Sequence, residues 1–163
     1  MVAPEGPAGS AHTILVRDFP MTLPRKSTLF PNIERDSDAR GSILSIVDEP
    51  VQNVSIITCT PGSLRSNHFH NSDFHFMYVL EGEIDYFWKD VDTGEVQYLK
   101  VRTGDNIFTP PNELHATYFA VYTRLIVSSK FPRDQETYEK DTVRDVLVTA
   151  DNVEEMLAKH ATK

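Results

Sequence analysis

A succession of short alternating segments, each ended by turn residues, is the feature that most constrains the fold. Apolar and polar residues alternate with a period near two, and Gly, Pro, Asn or Asp follows almost every run. The runs cover residues 42–47, 54–60, 74–80, 83–88, 96–101, 107–109, 115–119 and 122–128. Short strands recurring every 8 to 12 residues or so are typical of a β-sandwich or barrel. The pattern therefore predicts an all-β domain with its barrel core at about 41–129.

The two ends of the chain differ from this core. Residues 1–12 are rich in Ala, Gly, Pro and Ser and lack the features of a signal peptide, which predicts a flexible tail. Residues 13–163 are then one domain. The polar segment 130–145 is predicted to be a surface excursion, and a short C-terminal helix is expected at about 151–160.

That helix has a recognisable start. Asp151 and Glu154 have the spacing of a capping box, in which Asp151 is the N-cap. Val153, Met156 and Leu157 then follow at helical spacing.

Charge and cysteine content exclude several classes of function. The 163 residues include 16 basic and 24 acidic side chains, a formal net charge of −8. Nucleic acids and anionic membranes both need clustered positive charge, so neither is an expected partner. No apolar stretch reaches the roughly 18 residues of a membrane-spanning helix.

The single cysteine, Cys59, is expected to be buried and cannot form an internal disulfide. We therefore expect a cytoplasmic protein.

Four of the six histidines have a spacing that suggests a shared site. His68 and His70 point to the same side of an extended chain, and His75 opens the next strand. If that face lines a barrel interior, His115 from a later strand joins them. Three or four convergent neutral imidazoles make a site for a divalent transition metal.

The spacing around these histidines resembles the two motifs of the cupin superfamily. The first is Gly62, five residues, His68-x-His70, four residues, His75, six residues and Gly82. The second is Gly104, five residues, Pro110-Pro111-Asn112, two residues and His115. The resemblance implies a cupin double-stranded β-helix, also called a jelly-roll barrel. It also implies one metal ion bound by His68, His70, His75 and His115.

The sequence departs from the family pattern at three positions. His75 replaces the usual Glu, Asn112 replaces a Gly, and Phe119 replaces an Asn. A site without the Glu is softer and suits Zn, Ni, Co, Cu, Fe or Mn better than Mg or Ca. Asp73, two residues before His75, is a possible substitute carboxylate.

Two arginines are candidates for binding an anionic substrate. Arg65 lies three residues before His68, and Arg40 lies in Asp38-x-Arg40-Gly41. An Arg at a barrel mouth can grip phosphate or carboxylate, although a solvated surface charge is an equal alternative. The pattern resembles the nucleotide-sugar cupins, which include dTDP-4-keto-6-deoxyglucose 3,4-ketoisomerases and dTDP-4-dehydrorhamnose 3,5-epimerases. That resemblance implies a catalytic role for His70.

Two further predictions concern Tyr86 and the aromatic run around His75. Tyr86 is the best non-histidine candidate for a proton donor, although a place in the aromatic core is the alternative. Phe74, Phe76 and Tyr78 alternate with His75 and so face out of the barrel. Aromatic surface of this extent needs a cover, either the N-terminal segment or a second subunit. We expect a homodimer.

The leading functional hypothesis is a metal-binding enzyme that acts on a small polar metabolite, by isomerisation or epimerisation of a keto-sugar or sugar nucleotide. A metal-dependent dioxygenase, containing iron, is the first alternative. A non-catalytic cupin that binds a small molecule is the second.

Overall fold

The computed structural model describes residues 22–161, so the predicted tail at residues 1–12 lies outside the described part of the chain. The elements are mostly strands, as the alternation predicts. They are β1 (Thr28–Leu29), β2 (Ile33–Asp38), β3 (Gly41–Ser45), β4 (Asn53–Cys59), β5 (Ser63–His70), β6 (His75–Glu81), β7 (Glu83–Lys89), β8 (Val96–Arg102), β9 (Asn106–Thr109), β10 (His115–Phe119), β11 (Thr123–Ser129), α1 (Gln135–Asp141), β12 (Thr142–Arg144) and α2 (Val153–His160).

Ten of these strands form two five-stranded antiparallel sheets. One sheet has the order β1-β9-β6-β11-β4, and the other has the order β12-β5-β10-β7-β8. Strands from both sheets contribute to one buried apolar cluster, which includes Cys59, Val79, Ile84, Phe119 and Leu125. Cys59 is a free, buried thiol, as predicted. The alternation thus places one face of each sheet in a shared core.

The sheets extend beyond the predicted core at 41–129 on both sides. Strand β1 pairs with β9, and β12 pairs with β5. In contrast, β3 was predicted as the first barrel strand but pairs with β2 alone, in a separate hairpin. Residues 41–45 do form a strand, but the local pattern does not specify which strand will pair with it.

The turn residues of the two motifs have conformations that explain their identity. Gly82 has φ +83°, and a Cβ there would collide with the backbone oxygen of Tyr122. Asn112, where the cupin motif has Gly, has φ 61°. Asn tolerates this left-handed region better than most residues, so the substitution preserves the turn. The Asn112 backbone N–H donates to the His70 carbonyl oxygen at 2.6 Å, which ties this turn to the histidine strand.

Segment 130–145 was predicted as a surface excursion; it does lie mostly at the surface, but it also extends the sheet that carries two of the histidines. The segment forms α1 and β12, and β12 places Thr142 opposite His70 and Arg144 opposite His68. The C-terminal helix is present as α2, but its N-cap is Asn152 rather than Asp151, with no capping bond from the side chain.

The central ring of the aromatic face beside His75 is covered from within the same chain, whereas Phe74 and Tyr78 are half-buried. Phe76 is buried, and the Phe30 ring packs on it with centroids 5.0 Å apart. Of the two covers considered, the segment before β2 is therefore the one that covers Phe76. Large exposed apolar side chains are found instead on β3 and β4, at Ile43, Val54 and Ile56.

Among the residues described, no helix is both long enough and apolar enough to cross a membrane.

Candidate active site

Strand β5 presents two of the candidate histidines, and an irregularity in the strand sets their direction. Ser66 and Asn67 have φ 68° and 55°, in the left-handed region, and the pairing of β5 with β10 shifts register beside them. A bulge of this kind bends a strand and redirects the side chain that follows. The next residue is His68, which pairs with His115 across the sheet. The bulge thus lies directly before the first histidine of the site.

The irregular backbone is held in place by the C-terminal segment. The Asn67 side-chain oxygen accepts hydrogen bonds from the backbone N–H groups of Leu147 and Val148, at 2.9 and 3.0 Å. Its side-chain nitrogen donates to the Val148 carbonyl oxygen at 2.8 Å. Left-handed conformations of residues other than glycine persist only where the surroundings enforce them. The three hydrogen bonds of the Asn67 side chain hold this part of β5 in the left-handed conformation.

The four predicted histidines lie together in one buried cluster. The His68 ring packs edge-on against His70 and His115, with centroids 4.7 and 4.9 Å apart. His70 and His115 are 6.4 Å apart, and the His75 ring lies 4.6 Å from His70. All four side chains are buried. The spacing argument therefore identified a real cluster, at the junction of three strands from two sheets.

Burial keeps three of the four imidazoles, those of His68, His70 and His115, neutral. Burial, with repulsion from the other histidines, lowers the pKa of His68 to about 2 and that of His70 to about 3. Burial likewise lowers the pKa of His115 to about 4. A second positive charge in such a cluster is costly because the rings are desolvated and close together. These rings therefore hold lone pairs at neutral pH.

Three of the rings each have one nitrogen engaged by a protein oxygen. The Nε2 atom of His75 lies 3.1 Å from Asp73 Oδ2, and His115 Nδ1 lies 3.0 Å from the Glu113 carbonyl oxygen. His70 Nδ1 lies 3.3 Å from Thr142 Oγ1 and 3.5 Å from Asp141 Oδ2. An oxygen partner of this kind fixes the hydrogen on the engaged nitrogen and leaves the lone pair on the other.

Asp73 is buried and charged. Burial acts to raise its pKa, but the hydrogen bond and charge of His75 and the Phe131 N–H outweigh burial and lower the pKa. The Phe131 N–H lies 3.2 Å from Oδ1, so both carboxylate oxygens have partners. The sequence suggested Asp73 as a substitute metal ligand, whereas the structure places it against His75.

A cavity of about 450 Å³ opens beside the cluster. Its polar wall contains His68, His75 and His115, together with Arg65 and Arg133. Its apolar wall comprises side chains of the barrel interior, namely Ile57, Met77, Phe119, Leu125 and Val127. Two cationic side chains beside buried histidines suit a polar, anionic ligand in spite of the net charge of −8.

Helix α1 forms the third wall of this cavity, through Gln135, Tyr138 and Glu139. The Tyr138 ring lies 5.5 Å from the His70 ring and 6.0 Å from the His68 ring. Sequence reasoning missed this residue because α1 is only seven residues long and has no apolar stripe. The Asp134 N-cap and Thr137 at N3 were the available signal, since Asp is a preferred N-cap residue.

Three predicted site residues, Tyr86, Arg40 and His70, are not part of the cavity lining. Tyr86 is fully buried, and its hydroxyl is within 2.8 Å of both Ser27 Oγ and Thr109 Oγ1. Its ring stacks on His115 at 6.0 Å, so it supports that histidine from behind. Arg40 lies on the β2–β3 hairpin and pairs with Asp38. His70 also lies behind the lining, between His68 and His75.

The residues present fit a divalent transition metal. His70 Nε2 is buried and has no hydrogen-bond partner among the described residues. His68, His70 and His115 are mutually close, and His70 and His115 have their other nitrogens held by oxygens, as metal-binding histidines usually do. His75 makes its ring contact with His70 and is bound to Asp73. We therefore treat His68, His70 and His115 as the candidate ligands and His75 separately.

Carboxylates offer a second group of close donor atoms. Ligand atoms of His70, Asp73 and Asp141 all lie within 4.8 Å of one another. Both Asp141 oxygens already accept backbone N–H bonds, from Ser72 at 3.0 Å and Asp73 at 2.9 Å. Asp141 thus has a structural task, which is to hold the loop between His70 and His75.

No protein-family model and no curated protein matches the sequence. Solved structures do resemble it. The TDP-quinovose 3,4-ketoisomerase WlaRB from Campylobacter jejuni has a TM-score of 0.62 at 16% identity, over 74% of this chain and 94% of WlaRB. The sugar 3,4-ketoisomerase QdtA from Thermoanaerobacterium thermosaccharolyticum, in complex with TDP, has a TM-score of 0.60 at 16% identity, over 86% of this chain and 98% of QdtA.

A third similar structure is the capsular polysaccharide assembling protein CapF from Staphylococcus aureus. Its TM-score is 0.54 at 19% identity, over 72% of this chain and 33% of CapF. At these identities the similarity concerns the fold. The two facing antiparallel sheets, the histidine strand and these structural matches agree with the two sequence motifs, and together they show that the chain has the cupin fold.

Proposed function

We propose that this chain isomerises a keto-sugar carried on a nucleotide, by moving a proton between neighbouring carbon atoms. The observation that carries the proposal is His75, which lines the cavity and is hydrogen-bonded to the buried carboxylate of Asp73. An imidazole with a carboxylate behind it can act as a general base whose protonated form is stabilised. The similarity to sugar 3,4-ketoisomerases supports the class of substrate.

The reaction requires a base, groups that hydrogen-bond to the sugar, and cationic groups that bind the anionic part of the substrate. His75 removes the proton attached to the carbon next to the carbonyl group and later returns it to the former carbonyl carbon. The His115 Nδ1 hydrogen faces the Glu113 carbonyl oxygen, so in the metal-free protein its Nε2 lone pair can accept a hydrogen bond from a sugar hydroxyl. The apolar wall excludes water from the reacting carbons, which protects a carbanionic intermediate.

Arg65 and Arg133 are the residues that we assign to the phosphate groups. Both line the cavity, and Arg65 is exposed, with its Nη2 atom 3.3 Å from the Thr58 carbonyl oxygen. A guanidinium can bind a phosphate through two parallel hydrogen bonds. A divalent ion held by His68, His70 and His115 would supply positive charge for polarising the sugar carbonyl.

Deuterium exchange tests this proposal directly. The protein is incubated with TDP-4-keto-6-deoxyglucose in D₂O and followed by NMR. We expect a new keto isomer with deuterium at the carbon that was the carbonyl. His75→Asn should lower the rate by about 10²-fold or more, because general-base catalysis contributes about that much. His160→Asn, on α2 and outside the cavity lining, is the control. Binding of the sugar nucleotide without formation of a new keto isomer would instead indicate a non-catalytic binding protein.

The three-imidazole set also favours one alternative, a metal-dependent dioxygenase. Three neutral nitrogen ligands leave positions on an iron ion open for substrate and O₂. Oxygen uptake by the iron-loaded protein, in the absence of keto-sugar isomerisation, would favour this second function.

A further inference from the structure

The proposed isomerisation moves two protons, and His75 accounts for only one of them. One proton moves between carbons, and the other moves between the two neighbouring oxygens. The sequence suggested Tyr86 for a proton-transfer role, but its hydroxyl is occupied by Ser27 and Thr109 and lies outside the cavity lining. A second group that faces the cavity is therefore needed.

Resting on the proposed function, we infer that Tyr138 of α1 is the residue that moves the proton between the two oxygens of the sugar. Tyr138 lines the cavity together with His75, and its ring packs against His68 and His70. Among residues 22–161, the Tyr138 hydroxyl has no hydrogen-bond partner, so it is available to a ligand. A phenol can donate a proton and then take one back.

The position of Tyr138 is fixed at both ends of its helix. At the start, Asp134 Oδ1 accepts the Thr137 N–H at 2.9 Å. At the end, Asp141 holds the backbone N–H groups of Ser72 and Asp73, so α1 is fastened to the loop that precedes His75. The carboxylate behind His75 and the helix that carries Tyr138 therefore share one anchor. This arrangement holds the two proton-transfer groups at a defined separation.

The Tyr138 ring is also held from two directions. Thr142 links Tyr138 to His70. Its hydroxyl donates to the Tyr138 backbone carbonyl oxygen at 2.6 Å and lies 3.3 Å from His70 Nδ1. The Arg133 guanidinium lies 5.8 Å from the ring centroid. An arginine over an aromatic face is an attractive contact, and here it comes from a second residue of the cavity wall.

The two-proton step balances without any other reactant. In the first half, His75 takes the proton from the carbon that bears the hydroxyl, and the electrons of that C–H bond form a C=C bond. The carbonyl electrons move to oxygen, which takes the proton of Tyr138, and an enediol results. In the second half, the phenolate removes the proton from the other hydroxyl, a carbonyl forms there, and His75 protonates the former carbonyl carbon. Tyr138 and His75 end as they began.

The test compares Tyr138→Phe with Tyr122→Phe, which removes a hydroxyl from an exposed tyrosine outside the cavity lining. Three quantities are measured for each variant: the isomerisation rate with TDP-4-keto-6-deoxyglucose, the dissociation constant for TDP, and the melting temperature. We expect Tyr138→Phe to lower kcat by about 10²-fold, the lower end of general acid–base effects. TDP affinity should stay within about twofold and the melting temperature should not change, while Tyr122→Phe should match the wild type.

The outcomes separate this inference from the proposed function. Wild-type protein that isomerises the sugar, together with a Tyr138→Phe variant of unchanged kcat, would overturn the role of Tyr138 and leave the proposed function standing. Loss of TDP affinity in parallel with kcat would show a binding role and would also overturn it. Wild-type protein that neither isomerises this sugar nor exchanges deuterium with it would overturn both. Tyr138→Trp, which keeps an aromatic ring against the histidines but lacks the hydroxyl, should be as slow as Tyr138→Phe.

Discussion

His75 and Asp73 form a buried pair in which the imidazole Nε2 lies 3.1 Å from the carboxylate Oδ2. The two residues are separated by Phe74 alone, yet Asp73 belongs to the loop and His75 begins β6. A carboxylate in this position fixes the histidine tautomer and stabilises its protonated form. The pair is therefore the cavity's candidate general base under the proposed function.

Asp73→Asn should slow isomerisation by about 10²-fold or more, because the amide cannot stabilise an imidazolium and favours the wrong tautomer. The measurement is kcat with a keto-sugar nucleotide, alongside the melting temperature, since Asp73 also accepts the Phe131 N–H. Asp145→Asn, at an exposed aspartate, is the matched control. A fully folded Asp73→Asn variant with wild-type kcat would remove His75 from the role of base.

Arg65→Ala should weaken TDP binding about 10- to 150-fold, because a charge-assisted bidentate contact contributes about 1.5 to 3 kcal/mol. Calorimetric titration measures this effect. Arg40→Ala is the informative comparison, because Arg40 was also a predicted binding residue but lies on the hairpin with Asp38. Its affinity should equal that of the wild type. Equal losses in both variants would place the ligand elsewhere.

One divalent transition ion per chain should bind to the purified protein, and His68→Ala and His115→Ala should abolish this binding. His75→Asn should retain the ion, because the His75 ring packs beside His70 and is bound to Asp73. Elemental analysis after dialysis against each metal gives the stoichiometry. Loss of the ion in His75→Asn as well would restore the four-ligand site that the cupin motifs imply.

The metal-free protein should lose stability as the pH falls below about 6.5, the ordinary histidine pKa. The folded-state pKa values of His68, His70 and His115 are about 2, 3 and 4, so the unfolded chain binds protons that the folded chain does not. Between its folded-state pKa and 6.5, each such histidine lowers the free energy of unfolding by about 1.4 kcal/mol for every pH unit of acidification. Urea unfolding at pH 7 and pH 5 should therefore show a smaller loss of stability for His68→Asn than for the wild type.

The carboxyl group of Glu113 has the opposite effect on stability, which it increases as the pH falls from about 7. Burial raises the pKa of Glu113 to about 7, so its contribution to stability grows as the pH falls toward its ordinary value of 4.5. Glu113 is present in both wild type and His68→Asn, so the difference between the two proteins isolates the histidine. Identical pH dependence in the two proteins would contradict burial of His68 in its neutral form.

The homodimer expected from the sequence remains a prediction. Because Phe76 is covered within the chain, we expect the exposed face of β4 to form the interface. Ile56 is 64% exposed on β4, at the edge of its sheet, where a second chain can pack or pair. Ile56→Lys should therefore convert a sedimenting dimer to a monomer, whereas Val146→Lys, at another exposed apolar residue, should not. A wild-type protein that sediments as a monomer at all concentrations would contradict the dimer.

Local pattern was sufficient for eight of the twelve strands, the all-β class and the histidine cluster, but strands β1, β2, β5 and β12 lay outside the predicted runs. Alternation at period two is a local property, so it located most of the strands within one or two residues. The motif spacings identified His68, His70, His75 and His115, because the two residues between Asn112 and His115 and the turn at Asn112 fix how β10 returns beside β5. Asn112 fulfils the conformational role of the missing Gly.

Only the tertiary structure decided which residues share the cavity. Tyr86 and Tyr138 are both plausible proton donors by residue type, but pairing of β7 with β10 buries one behind His115, whereas α1 brings the other to the wall. Helix α1 is too short to carry a periodic signal, and its position depends on Asp141 binding a loop about 70 residues earlier in the chain. Contacts across such separations are set by packing, which no local pattern encodes.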